Sequence, residues 1–221
     1  MQSRYSLAIK TVAVSIAAAA IFSCASQTQK ADYFMRQNPR QESLQHSPLR
    51  SLEKSKTYVV LIDAYDDIKQ LSKAAGFSGR FGHIIAIADN QAFDCSPPKC
   101  AELTIPGLEL KYTGHAYNIR EVDFNGDTKK AIAWFRTHMQ DRPYNLYYRN
   151  CADVPVGMYE ASGATIRLIK PLPVKSTYEA NARLRNFMQT HNMPLPEREF
   201  VFLPDQFENI GQLVGTGTFG R

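Results

Sequence analysis

The 221-residue sequence predicts an α+β domain. Short apolar runs joined by tight turns, as in His83–Ala88 and Gln91–Cys95 across Asp89-Asn90, read as antiparallel hairpins rather than strand–helix–strand crossovers. Separate stretches carry apolar side chains at helical spacing, as at Ala131, Ile132, Phe135 and Met139. A hydrophobic content of 44% is enough for one compact unit with a real core. The chain shows no internal repeat, no phosphate-binding glycine loop and no dinucleotide fingerprint, which removes the common nucleotide-binding classes.

The N-terminus reads as an export signal over residues 1–23. Arg4 and Lys10 supply a basic start, and Thr11–Phe22 is an apolar, Ala-rich run too short to span a bilayer comfortably. The run ends Ile21-Phe22-Ser23-Cys24, which resembles the lipobox of bacterial lipoproteins and makes Cys24 the expected lipidation site. Ordinary signal cleavage nearby and a retained membrane anchor are the alternatives. Ala25, where an Asp would favour retention at the inner membrane, leans the resemblance toward the outer membrane facing the periplasm. Residues 24–56 are polar and rich in Gln, Ser, Arg and Lys, as expected of a flexible tether, and residues 57–221 form the expected folded domain. Without Arg4 and Lys10 the net charge falls from +5 to about +3. The remaining basic residues are scattered, which gives nucleic-acid binding little support and makes anionic envelope polymers the better-matched neighbours.

Within the domain, Tyr58–Ile62 predicts a strand and Asp66–Ala75 a helix stopped by Gly76. The His83–Cys95 hairpin follows. Leu108–Tyr112 and Tyr117–Phe124 predict a second hairpin turning at Thr113-Gly114, and Asp127 or Thr128 caps the helix that carries Phe135. A loop with Tyr144, Tyr147 and Tyr148 leads into Asn150 and a mostly apolar helix. Thr165–Ile169 predicts a strand, Tyr178–Thr190 a helix and Phe200–Leu203 a short strand before a Gly-rich tail.

The cysteines sort by chemistry. Cys95 and Cys100 bracket Ser-Pro-Pro-Lys, close enough to form a disulfide in an oxidising compartment; zinc held by this pair and a histidine is a poorer match to metal-site spacing. With Cys24 assigned to the export signal, Cys151 is left over. It follows Asn150, whose side-chain oxygen suits a helix cap, and a helix start favours thiolate over thiol. The competing reading is a buried small hydrophobe. A nucleophile needs a base. His83 enters an apolar strand on the side of Ile85 and Ile87, and Asp94 on the returning strand is the natural partner for its ring. The alternative there is a core histidine satisfied by backbone. His46, His115, His138 and His191 lie in the tether, a turn, a helix end and a loop, where they say less.

Gly82-His83 opening an apolar strand, Asp94 on the return and Asn150-Cys151 opening a helix resemble the circularly permuted branch of the papain-like, NlpC-type superfamily, over roughly Thr57–Gly163. Histidine precedes cysteine here, as in the permuted lipoprotein enzymes of enteric bacteria and the lecithin retinol acyltransferase-like proteins. The resemblance implies a small antiparallel sheet or barrel with the nucleophile's helix packed against it. It assigns Cys151 as nucleophile, His83 as base and Asp94 as the orienting residue; no metal and no cofactor are expected. Tyr144, Tyr147, Tyr148 and Asn150 are candidates to line the substrate. The implied activity is amide hydrolysis, first in peptidoglycan stem peptides. Hydrolysis or transfer of a lipid ester or thioester, and a non-catalytic binding lipoprotein, are the alternatives.

Overall fold

The computed structural model describes residues 47–63, 80–122, 126–145, 147–164, 169, 171–190, 195–196 and 198–220. Strand β1 (Thr57–Asp63) organises the sheet because its TYVVLI run is buried on both faces. Tyr58, Val60 and Ile62 pack with Ile85, Ile87, Ala92 and Ile119, while Val59 and Leu61 pack with Phe81, Ile84 and Val156. Each such side chain removed from water contributes about 1.5–3 kcal/mol, so a two-sided strand is a strong nucleus for the fold.

β2 (Phe81–Ala88) and β3 (Gln91–Ser96) form the expected hairpin, whose two turn residues Asp89 and Asn90 both adopt positive φ, of 49° and 60°. That geometry matches the twist of the flanking strands. β4 (Lys99–Thr104) returns beside β3 with Cys95 opposite Cys100, and the two are joined in a disulfide. The chain then departs from the expected second hairpin. Residues Ile105–Lys111 form helix α1, with Tyr112 as its C-cap. Thr104 Oγ1 accepts the Gly107 N–H, and Pro106 occupies the first turn, where its missing N–H costs nothing. These local signals outweigh the alternation of Leu108-Glu109-Leu110-Lys111. β5 (Ala116–Val122) then pairs with β1.

Helix α2 (Thr128–His138) starts at Asp127, whose Oδ1 accepts the Lys129 and Lys130 N–H groups, and buries Ala131, Ile132 and Phe135. Helix α3 (Asp153–Ser162) packs beside it. Both cover the sheet face that carries Ala86, Ala88 and Phe93. A small hairpin of β6 (Leu172–Pro173) and β7 (Phe200–Val201) encloses α4 (Val174–Ala180) and α5 (Ala182–Thr190) in sequence. The single helix expected over Tyr178–Thr190 is therefore two, interrupted at Asn181, whose carbonyl accepts the Arg185 N–H as a helix cap does.

The Gly-rich tail is strand β8 (Gln212–Thr218), paired with β5 at one edge of a six-stranded antiparallel sheet in the order β4-β3-β2-β1-β5-β8. A Cβ at Gly217 would stand 2.7 Å from the Tyr117 hydroxyl, so glycine here lets a tyrosine lie against the backbone. The packed unit also begins before the expected boundary at Thr57. A 3-10 turn at Pro48–Ser51 buries Leu49 completely, and Arg50 pairs with the buried Glu109 of α1 at 2.8 Å. The expected strand at Thr165–Ile169 lies, apart from Ile169, outside the described residues, as do the Asp66–Ala75 helix, Cys24 and the export signal. Among the described residues no helix is long and apolar enough to cross a membrane.

Candidate active site

His83, Asp94 and Cys151 converge at the start of β2. In register, Ile62 of β1 faces His83 on one side and Tyr117 on the other, and an irregularity at Ile62/Asp63 brings Phe81 opposite Asp63. The shift interrupts strict alternation of faces. Cys151 packs among Val59, Leu61, Phe81 and Ile84 and still interacts with His83. Cys151 is 5% exposed and is not part of a disulfide.

Asp94 is wholly buried, and four side chains satisfy it. Its Oδ1 lies 2.7 Å from His83 Nε2. Its Oδ2 accepts from Lys111 Nζ at 2.6 Å, from the Tyr112 hydroxyl at 2.9 Å and from Ser96 Oγ at 3.2 Å. Nε2 therefore carries the proton, and Nδ1 is the ring nitrogen left for Cys151. Tyr112 also stands 2.9 Å from His83 Nε2, with its ring stacked on the imidazole at 5.3 Å between centroids.

The charges follow from these partners. Burial opposes a charged His83, but its interactions with Cys151 and with the Asp94 carboxylate outweigh it and raise the imidazole to about 9. Burial likewise opposes a charged Asp94, yet His83 and Lys111 hold it below the usual carboxylate range. Tyr112 is pushed well above an ordinary phenol by burial and by the neighbouring carboxylate, so it remains a hydroxyl donor. His115 lies near enough to be lowered by burial and then by repulsion from the His83 imidazolium.

A polar loop carries Cys151 to this corner and is stapled to the disulfide hairpin. Cys100 N–H donates to the Arg142 carbonyl, Asp141 N–H to the Cys100 carbonyl and Tyr144 N–H to the Pro98 carbonyl. Asn145 Oδ1 then accepts the Tyr147 and Tyr148 N–H groups. Asn150 and Asp153 cap each other across the helix start. Asn150 Oδ1 accepts the Ala152 and Asp153 N–H groups, and Asp153 Oδ2 accepts the Asn150 N–H at 2.9 Å. Pro155 has no N–H to bond the Cys151 carbonyl, so regular helix begins two residues later, at Asp153, and Cys151 lies in the turn just before it.

The four expected substrate-lining residues divide. Asn150 is buried, its Oδ1 caps the turn and its amide nitrogen donates to the Phe202 carbonyl at 3.3 Å. Tyr144 packs against the cluster around Phe135, and Tyr147 is buried; Tyr148 alone of the four is exposed. Lys111, Tyr112 and Ser96 were not among the expected site residues. Ser96 was legible in principle, since a strand puts it on the same side as Asp94 two residues earlier. Lys111 and Tyr112 were hidden by reading α1 as a strand. Among the described residues no group of three or more His, Cys, Asp and Glu side chains is placed to hold a metal ion.

No protein-family model matches the chain, and no curated protein does. Among solved structures, the crystal structure of metalloprotein YiiX from Escherichia coli O157:H7, labelled DUF1105, superposes with a TM-score of 0.51 at 14% identity, covering 75% of this chain and 97% of that one. At that identity the likeness concerns the fold alone.

Proposed function

We propose that the chain is a cysteine hydrolase of the permuted papain-like, NlpC-type kind, held at the bacterial outer membrane by lipid on Cys24 and cleaving amide bonds of peptidoglycan stem peptides. The observation that supports this best is the position of His83, bonded to Asp94 through Nε2 and interacting with Cys151. His83 Nδ1 takes the thiol proton, and the thiolate attacks the amide carbonyl to form a C–S bond. The oxyanion faces the Cys151 N–H at the start of the capped helix. Collapse breaks the C–N bond as His83 gives its proton to the leaving amine. Water, deprotonated by His83, then hydrolyses the thioester and restores the thiol.

The YiiX structure is that of a metalloprotein, whereas the steps proposed for this chain use no metal. Cys95 and Cys100 are joined to each other, and His83 Nε2 and both Asp94 oxygens are engaged by protein groups.

The test is iodoacetamide alkylation of Cys151 across pH in the full chain, read by mass spectrometry, with His83→Ala beside it. Fast alkylation well below about pH 8.5, lost in His83→Ala, is the expected result. A free-thiol profile in both proteins removes the enzyme reading and leaves a binding lipoprotein. Product analysis on muropeptides and on acyl lipids then assigns the substrate. Cleavage of the acyl lipids alone would replace the peptide by an ester or thioester and keep the reacting residues.

A further inference from the structure

We propose that Lys111 and Tyr112, at the end of α1, are positioning residues for the His83–Asp94 pair: Lys111 balances the carboxylate's charge, and Tyr112 holds carboxylate and imidazole in one geometry. The proposal rests on His83 and Cys151 being the reacting pair.

A wholly buried carboxylate 2.7 Å from an imidazole favours the imidazolium strongly. A base so held takes a proton readily and gives it up reluctantly, whereas acid–base turnover needs both steps. Lys111 answers this from the other oxygen. Its Nζ is 2.6 Å from Asp94 Oδ2 and 2.7 Å from Ser96 Oγ, so the carboxylate's charge is shared between two cations. The Lys111 side chain is 33% exposed, so it has access to water and nevertheless lies on the buried acid.

Tyr112 has one hydroxyl proton and two neighbours. Asp94 Oδ2 can only accept, so the proton goes there, and the phenol oxygen faces the Nε2–H of His83 as a second acceptor. Together with the ring stack this fixes the rotation of the imidazole and keeps Nδ1 toward Cys151. The same helix end supplies both side chains in sequence, and Lys111 Nζ lies 5.5 Å from the Tyr112 ring centre, a cation–π distance. The other ionisable groups facing the histidine are Cys151 and His115; His115 stands edge-on to Tyr112 at 6.3 Å and is itself influenced by Asp63.

The experiment is the titration of the His83 ring by nitrogen NMR in the full chain, without reference to turnover. Lys111→Gln keeps a donor to Asp94 and deletes the charge, and it should move the His83 midpoint up from about 9 by roughly one unit. Lys111→Arg should restore the wild-type midpoint. Tyr112→Phe should move the midpoint less and, above it, admit the Nδ1–H tautomer beside Nε2–H. An unmoved midpoint in Lys111→Gln, or a single Nε2–H tautomer in Tyr112→Phe, would overturn the corresponding role. Should Lys111→Gln not fold, Lys111→Arg decides, since a midpoint that departs from wild type with the charge retained also overturns charge balance. If the midpoints move as expected and wild-type protein leaves muropeptides and acyl lipids intact, the hydrolase reading fails and the positioning stands. If wild type hydrolyses and Lys111→Gln keeps its pH–rate profile and its midpoint, the reverse holds.

Discussion

Two carboxylates flank the candidate nucleophile, and the structure treats them oppositely. At the hairpin corner, Asp94 is completely buried but held below the usual carboxylate range by His83 and Lys111. At the helix start, the Asp153 side chain is 15% exposed yet is raised, because burial outweighs the Asn150 N–H and an Arg198 guanidinium 3.8 Å away. Burial is harsher at Asp94, so the quality of the partners decides the outcome. Two cations at hydrogen-bond distance keep one acid charged. A backbone donor and the charges of Arg198 and Arg149 do not compensate the other.

Removing Asp94 is the severest way to break this contrast. Asp94→Ala leaves His83 and Lys111 without their shared acceptor, and a loss of about 2–4 kcal/mol in urea unfolding is expected, reduced from a fully buried pair because Lys111 reaches water. The accompanying pH dependence has a definite sign. His83 is raised from 6.5 to about 9, so its contribution is full below about pH 6.5 and fades as pH rises through 9. Asp94 is lowered, so its contribution is present above the ordinary carboxylate range and fades only in stronger acid. The gap between the thermal melts of wild type and Asp94→Ala should therefore narrow toward both ends of the pH scale, leaving above about pH 9 the part that Lys111, Tyr112 and Ser96 supply. A constant gap would mean that the corner is held by packing rather than charge.

The hairpin corner also has a covalent tie that the helix start lacks. Replacing Cys95 and Cys100 together by Ala should lower stability by about 2 kcal/mol, as expected for a loop this short. Because the Cys151 loop bonds through Asp141, Arg142 and Tyr144 to the Cys100 and Pro98 backbone groups, alkylation of Cys151 should also lose pH sensitivity before global unfolding. Equal losses of both would make the tie purely global.

The helix arm depends instead on close packing. A Cβ at Gly157 of α3 would come within 2.0 Å of the Trp134 ring, so Gly157→Ala should cost about 1–2 kcal/mol despite alanine's better helix propensity. Asp153→Asn sharpens the comparison most gently. Asparagine keeps an acceptor for the Asn150 N–H and removes a poorly compensated charge, so a change under about 1 kcal/mol is expected at neutral pH. Since the raised Asp153 pKa makes its charged form unfavourable, wild type should gain on the variant as pH falls. A loss comparable to that of Asp94→Ala would place Asp153 among the essential charges.

Legibility in the sequence differs between the same two regions. His83 and Asp94 could be paired because a two-residue turn after an apolar run sets which side chains return to one another. The cap at Asn150 was legible because its partners are two and three residues away. Lys111 and Tyr112 were not, since an alternating run beside a Thr-Gly turn looks like a strand unless Thr104 and Pro106 are weighed as a helix start. β8 was missed for a related reason: glycines lower strand propensity, and their use under Tyr117 and Pro48 exists only after β5 has arrived.

The sequence by itself determined the α+β class, the β2–β3 hairpin that carries His83 and Asp94, and the side-chain caps at Asp127 and Asn150. Each depends on interactions within a few positions of chain, where spacing and residue type leave few choices. Only the tertiary structure decided that β8 closes one edge, that Leu49 joins the core while Arg50 pairs with the buried Glu109, and that Asp94 is neutralised by a lysine from α1. Those features join residues 17 to more than a hundred positions apart, and their energies come from burial and charge pairing that arise only when the elements meet.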